Sequence, residues 1–223
     1  MNVLITGASR GIGHETAKSF LSNGHKVLAI SRNTQPLERL KKEGASILTF
    51  DLTSKNYTPL VQKVADFGPI DILINNAGAL VNKPFTQLTD EDIKYVYEVN
   101  VFSVFKVIRD LMPHYGPHAH IINISSVGGV QGSIKFPGLS AYSSSKGALT
   151  ILTECLAEEY KSTTYRFNAL ALGSVQTEML QEAFPDFKSP VTAVQMANYI
   201  YNFAIQHGEL FNGKVLQVSS STP

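Results

Sequence analysis

Short apolar runs rich in β-branched residues alternate along this chain with longer stretches of helical periodicity. The strand-like runs are Asn2–Thr6, Lys26–Ser31, Ser46–Phe50, Ile70–Asn75, Ala119–Ser125, Arg166–Leu172 and Lys214–Val218. Helical patterns fill Gly11–Asn23, Leu37–Glu43, Tyr57–Phe67, Asp90–Met112, Ser140–Tyr160 and Thr192–Gln206. Runs such as Val3-Leu4-Ile5 lack polar alternation, as expected of strands covered on both faces. Regular β-α alternation implies crossover connections, which join parallel strands. The pattern predicts an α/β fold with a doubly wound parallel sheet of about seven strands flanked by helices. No repeat, low-complexity tract or linker divides the chain, so residues 1–223 read as one domain.

In such sheets ligands bind beyond the carboxyl ends of the strands, so chemistry-bearing residues are expected immediately after them. The first strand runs into Thr6-Gly7-Ala8-Ser9-Arg10-Gly11-Ile12-Gly13. Glycines allow a tight turn and bring backbone N–H groups close to a pyrophosphate, and the following helix offers its positive N-terminus to the same group. The spacing is G-x-x-x-G-x-G rather than the commoner G-x-G-x-x-G, but its place between a strand and a helix marks a Rossmann-type dinucleotide site. The second strand ends Ile30-Ser31-Arg32-Asn33. A carboxylate here would bind the ribose 2′-hydroxyl of NAD; Arg32, with Arg10 as a second cation, suits the 2′-phosphate of NADP(H) rather than NAD(H). Asp51-Leu52 follows the third strand and could contact adenine, and Asn75-Asn76-Ala77-Gly78 follows the fourth, where backbone can lie close to a cofactor.

Tyr142 and Lys146, four residues apart on a predicted helix, share a face. A phenol keeps its proton to about pH 10, and a neighbouring ammonium lowers that value. Bringing it to about 7 takes roughly 4 kcal/mol and yields a group able to exchange a proton at neutral pH. Ser126 lies 16 positions upstream of Tyr142, with Ser125 as its competitor at the same strand end. A strand-end hydroxyl also serves as a turn cap.

Composition narrows the field. The chain has 223 residues and a net charge of +1, so nothing favours nucleic acid or an anionic membrane as partner. One cysteine, Cys155, excludes an internal disulfide and suits a reducing cytoplasm; on the helix after Lys146 it reads as a packed core residue. Strand-like residues begin almost at Met1, leaving no room for a signal peptide, and no apolar run reaches the roughly 18–20 residues of a membrane span. His114, His118 and His120 are close in sequence, but no carboxylate or cysteine completes a metal site, and they read as preceding the fifth strand, at its amino end. No metal site is expected.

Taken together, these residues resemble the single-domain branch of the short-chain dehydrogenase/reductase family. The likeness covers nearly the whole chain: Thr6–Gly13, Asn75–Gly78, Asn100, Ser126, Tyr142 with Lys146, and Gly173-Ser174-Val175-Gln176-Thr177. It implies reversible hydride transfer between a nicotinamide and a carbonyl or secondary alcohol. By the same resemblance Tyr142 would be the general acid/base, Lys146 would depress its pKa and bind the nicotinamide ribose, and Ser126 would donate to the substrate oxygen. Asn100 would hold a relay water, while Val175 and Thr177 would hold the carboxamide. A homodimer or homotetramer built on the helices near Asp90–Met112 and Ser140–Tyr160 is implied too. The alternatives are a cofactor-binding sensor or scaffold without turnover, and a sugar-nucleotide epimerase, which the glycine spacing and chain length disfavour.

Four features depart from the family pattern. The Ser126–Tyr142 interval is longer than usual, with extra residues around Ser133–Gly138 that would shape the substrate pocket. Leu172-Gly173 replaces a proline-glycine pair, which should loosen the turn after the sixth strand. The segment from about 177 to 190 is a short lid whose Met179, Leu180, Phe184 and Phe187 suggest an apolar cover. The tail, Ser219–Pro223, lacks the family's glycine-rich ending, which puts the usual C-terminal oligomer contacts in doubt.

Overall fold

Seven strands form one parallel sheet: β1 (Asn2–Thr6), β2 (Lys26–Ser31), β3 (Ser46–Thr49), β4 (Ile70–Asn75), β5 (Tyr115–Ser126), β6 (Arg166–Leu172) and β7 (Lys214–Val218), in the order β3-β2-β1-β4-β5-β6-β7. The computed structural model describes residues 1–207 and 210–219. Ser220–Pro223, on which the expectation about the tail rests, lie outside the described residues.

Both faces of the sheet are covered, and the period of two along each strand divides the core. Val3 and Ile5 of β1 face one apolar cluster, Leu4 the other. The first cluster takes Ala17 and Phe20 of α1 (Gly11–Ser22), Leu37 and Leu40 of α2 (Thr34–Lys42), and Met196 and Ile200 from Ala193–Asn202. The second takes Leu60 and Val64 of α3 (Thr58–Phe67), with residues from two helical stretches, Ser103–Leu111 and Ser140–Glu159. Strand order reverses between β1 and β4, and that reversal opens a crevice at the carboxyl edge of the sheet.

Local structure differs from the sequence expectation in several places. The helix expected over Asp90–Met112 is α4 (Asp90–Tyr97) and α5 (Ser103–Leu111), separated by a π-helical turn at Glu98–Phe102. The next helices are α6 (Ser140–Glu159), α7 (Glu178–Ala183) and α8 (Ala193–Asn202). α7 lies within the expected lid and is capped by Thr177, whose hydroxyl accepts from Leu180 N. α2 begins at Thr34, before the expected Leu37, because Pro36 fits a first helical turn.

β5 starts four residues earlier than expected, at Tyr115, which pairs with Ile70. The register then shifts between Ile70 and Ile72, and the irregular stretch absorbs Gly116 and Pro117. His118 and His120 therefore belong to β5 instead of preceding it, and His120 is buried against Asn168 Nδ2 at 3.0 Å. Among the described residues no group of histidine, cysteine and carboxylate side chains could hold a metal, and no helix is long and apolar enough to cross a membrane. Cys155 is exposed rather than packed, since α6 buries the face carrying Leu149, Leu152, Thr153 and Ala157.

Candidate active site

The crevice holds a cavity of about 830 Å³. One end is the turn after β1. Gly7 and Gly11 adopt positive φ, +69° and +55°, where side-chain-bearing residues are strained. A Cβ on Gly7 would lie 2.7 Å from Ala77 Cα, so only glycine lets this turn pack on the loop after β4. Thr6 ties the two loops together: its hydroxyl accepts from Asn76 N and Ala77 N, each at 3.1 Å. The Asn76 side-chain amide donates to Thr6 O and Gly7 O. The result is a bare backbone cradle at the start of α1, and its donor set fits a pyrophosphate.

Ser9, Arg10, Gly11, Ile12, Arg32, Asp51, Leu52, Asn76, Ala77 and Gly78 line the same cavity, as do Ser126, Tyr142, Lys146, Val175 and Thr177. Gly13 and Asn100 do not; both are buried behind the wall. Arg32 is exposed at the end of β2, and no carboxylate stands at residues 31–33. Arg10, expected as a second free cation, instead forms a two-pronged ion pair with Glu182 of α7.

At the other end β5 delivers Ser125 and Ser126, and the backbone decides between them. Ser125 is buried and donates to Lys146 O at 2.9 Å. Ser126 points to the cavity and accepts from Gly128 N at 3.2 Å. The turn that follows packs tightly on α6: a Cβ on Gly129 would lie 2.6 Å from the Lys146 carbonyl carbon. That approach brings Ser126 up to Tyr142.

Tyr142 and Lys146 do share a face of α6, with Nζ 5.8 Å from the ring centroid. The expected depression of the phenol is not what this geometry produces. Burial pushes the Tyr142 pKa up, and only a Ser126 hydrogen bond opposes it. Lys146 donates to Ile124 O at 2.8 Å, and burial holds its own pKa down at about 8.

Asn100 sits where the π-helical turn turns it inward, not along a regular amphipathic helix. Its Oδ1 accepts from Ala79 N at 2.7 Å, while Nδ2 donates to Ala79 O and to Ser145 Oγ, both at 2.9 Å. Ser145 in turn donates to Tyr142 O at 2.6 Å. Sequence reading missed Ser145, because one serine among three in Tyr142-Ser143-Ser144-Ser145-Lys146 carries no distinguishing mark. The turn after β6 is firmer than Leu172-Gly173 suggested. Leu172 pairs with Val218, and Gly173 N donates to Val218 O at 2.9 Å. Strand pairing supplies the restraint that a proline ring would have given.

Sequence and structure comparisons agree with this geometry. Residues 1–188 match the family model described as short chain dehydrogenase. The chain is 33% identical to carbonyl reductase [NADPH] 2 of Sus scrofa over 80% of its own length and 73% of that protein's. It is 33% identical to L-xylulose reductase of Homo sapiens over 89% of the chain and 80% of that protein. Among solved structures, 4-hydroxyisoleucine dehydrogenase complexed with NADH superposes with a TM-score of 0.88 at 25% identity, covering 99% of this chain and 97% of that one. A short chain dehydrogenase from Burkholderia cenocepacia in complex with NADP superposes with a TM-score of 0.87 at 25% identity, covering 98% and 96%.

Proposed function

The chain belongs to the short-chain dehydrogenase/reductase family of oxidoreductases, and from that premise we propose an NADP(H)-dependent carbonyl reductase or alcohol dehydrogenase with Tyr142 as its general acid/base. One observation carries the proposal: Ser126, Tyr142 and Lys146 line the same cavity as the glycine cradle after β1. When bound, the nicotinamide supplies or accepts the hydride. The protein does the rest. Tyr142 gives a proton to the carbonyl oxygen in reduction, or takes the alcohol proton in oxidation. Burial keeps the phenol protonated at neutral pH, so the proton is in place for reduction. Ser126 donates to the same oxygen as charge develops there. Lys146 binds the nicotinamide ribose, and Val175 and Thr177 hold the carboxamide. Asn100 fixes the loop after β4 and the first turns of α6 relative to each other, and holds the water that relays protons to Lys146.

NADP(H) is favoured over NAD(H) by Arg32 at the end of β2 and by the lack of an acidic residue beside it. The working form is a cytoplasmic homodimer or homotetramer acting on a small-molecule carbonyl or alcohol. Tyr142→Phe is the decisive test. NADPH binding, followed by fluorescence, should survive, while turnover on a carbonyl panel falls about 10²–10⁴-fold. Retained turnover would remove Tyr142 from the chemistry. Arg32→Ala should weaken NADPH by about tenfold or more and leave NADH unchanged; equal affinities for both cofactors in the unmodified protein would overturn the assignment.

A further inference from the structure

Similarity alone does not choose a substrate. The names of similar proteins include a carbonyl reductase, a butanediol dehydrogenase, a gluconate dehydrogenase and an oxoacyl reductase. The walls of the cavity are more discriminating.

Beside Tyr142 and Ser126 the space is enclosed by Leu80 from the loop after β4, Ile134 and Phe136 from the loop before α6, and Met179, Phe184 and Phe187 from the lid. Ile134 and Phe136 are each 54% exposed and Phe187 is 48% exposed, a large apolar surface converging on one cavity. Three loops distant in sequence are braced to make it. Lys83 N donates to Gly138 O at 3.0 Å, and Asn82 Nδ2 donates to Ala183 O at 2.9 Å, joining the loop after β4 to the other two.

Apart from Lys146 beside Tyr142, charge lies toward the cofactor end. The charged residues lining the cavity are Arg10, Arg32, Asp51, Lys146 and Glu178. Arg10 is paired with Glu182, and Arg32 and Asp51 sit at the ends of β2 and β3. A Cβ on Gly11 would lie 3.4 Å from Glu178 Oε2, which places that carboxylate by the phosphate turn. Lys146 is committed to Ile124 O. Lys135, on the apolar loop itself, turns its ammonium to Val130 O, Ser133 O and Ser133 Oγ and does not line the cavity. No amide side chain lines the apolar end either, since Asn33 and Asn76 belong to the cofactor end; the hydroxyls there are those of Ser126, Tyr142 and Ser143.

Resting on the reading of this cavity as a reductase site, we propose that its substrate is neutral and apolar, a ketone or the matching secondary alcohol with an alkyl or aryl body seated between Phe136 and the lid. A carboxylate would meet no cation but Lys146, which Ile124 O and the cofactor ribose already engage, and a polyol would bury more hydroxyls than Ser126, Tyr142 and Ser143 can pair; both are costly. In reduction the carbonyl carbon gains the hydride, its oxygen gains the Tyr142 proton, and the cofactor leaves oxidised.

Acetophenone, para-acetylbenzoate and a ketopentose test this with NADPH. We expect kcat/KM for acetophenone to exceed that of each of the other two by at least about tenfold, mostly through KM. Phe136→Ser should erase about tenfold of the advantage over the benzoate. A benzoate or pentose used as well as acetophenone overturns the proposal. Calorimetric binding of the three compounds, with and without NADP, separates this proposal from the catalytic one. If nothing turns over but acetophenone binds tightest, the catalytic reading fails and the apolar site stands. Equal or reversed affinities, or no binding by any of them, remove the apolar site.

Discussion

The cofactor end and the substrate end of the cavity are made in different ways. The first is backbone against backbone. Gly7 touches the loop after β4, Gly13 presses on Gly7, and Thr6, Asn76 and Asn100 spend their polar groups on neighbouring main chain. The second is side chain facing space: Ile134, Phe136 and Phe187 stand exposed on loops braced by a few hydrogen bonds. A cofactor is the same molecule at every turnover and can be met by a rigid cradle. A substrate pocket is set by which side chains project from loops, and loops tolerate change because little packs behind them.

Three experiments press on this contrast. The largest effect concerns the glycines. Gly13→Ala drives a Cβ to 2.5 Å from Gly7 O and should cost about 3 kcal/mol in urea unfolding. Gly132→Ala, in the loop before α6 and facing open space, should cost only about 1 kcal/mol for its positive φ. Equal losses would mean that the two ends are not built differently.

The next effect is electrostatic. Lys146 is held at about 8, below its ordinary value of 10.5, so the unfolded chain binds more protons than the native one between those two pH values. Native stability should therefore rise relative to Lys146→Met as pH climbs from 8 to 10.5, by up to about 3 kcal/mol. Thermal or urea unfolding of both proteins at pH 7 and pH 10 reads this; a difference that does not move with pH would show the ammonium to be well solvated. Part of any gain in the variant at pH 7 is offset by the orphaned Ile124 carbonyl.

The smallest effect lies where the two ends meet. Glu182→Gln releases Arg10 from the lid. Because the pair is exposed, NADPH should tighten by no more than about fivefold while NADH stays unchanged. Weaker NADPH binding would instead show that the ion pair orders the cradle for the cofactor.

The fold was legible because its signals are local and periodic. Unbroken apolar runs such as Val3-Leu4-Ile5 announce strands covered on both sides, and glycines after a strand announce a phosphate turn. Interruptions were harder to read. The π-helical turn at Glu98–Phe102 lies in a stretch whose helical pattern continues on both sides, and only the hydrogen bonds of Asn100 to Ala79 give the extra residue a purpose. Tyr115 opens β5 ahead of Gly116 and Pro117, two residues that read locally as a break, because β4 offers it a partner.

The sequence by itself determined the order of strands and helices, the glycine cradle, and the placing of Tyr142 and Lys146 on one helical face, since each depends on residues a few positions apart. Only the tertiary structure decided what those groups experience. Burial raises the phenol and lowers the ammonium, the Lys146 carbonyl claims Ser125 and leaves Ser126 to the cavity, and Glu182 takes up Arg10. Desolvation and long-range pairing depend on what the rest of the chain brings alongside, and no local pattern encodes that.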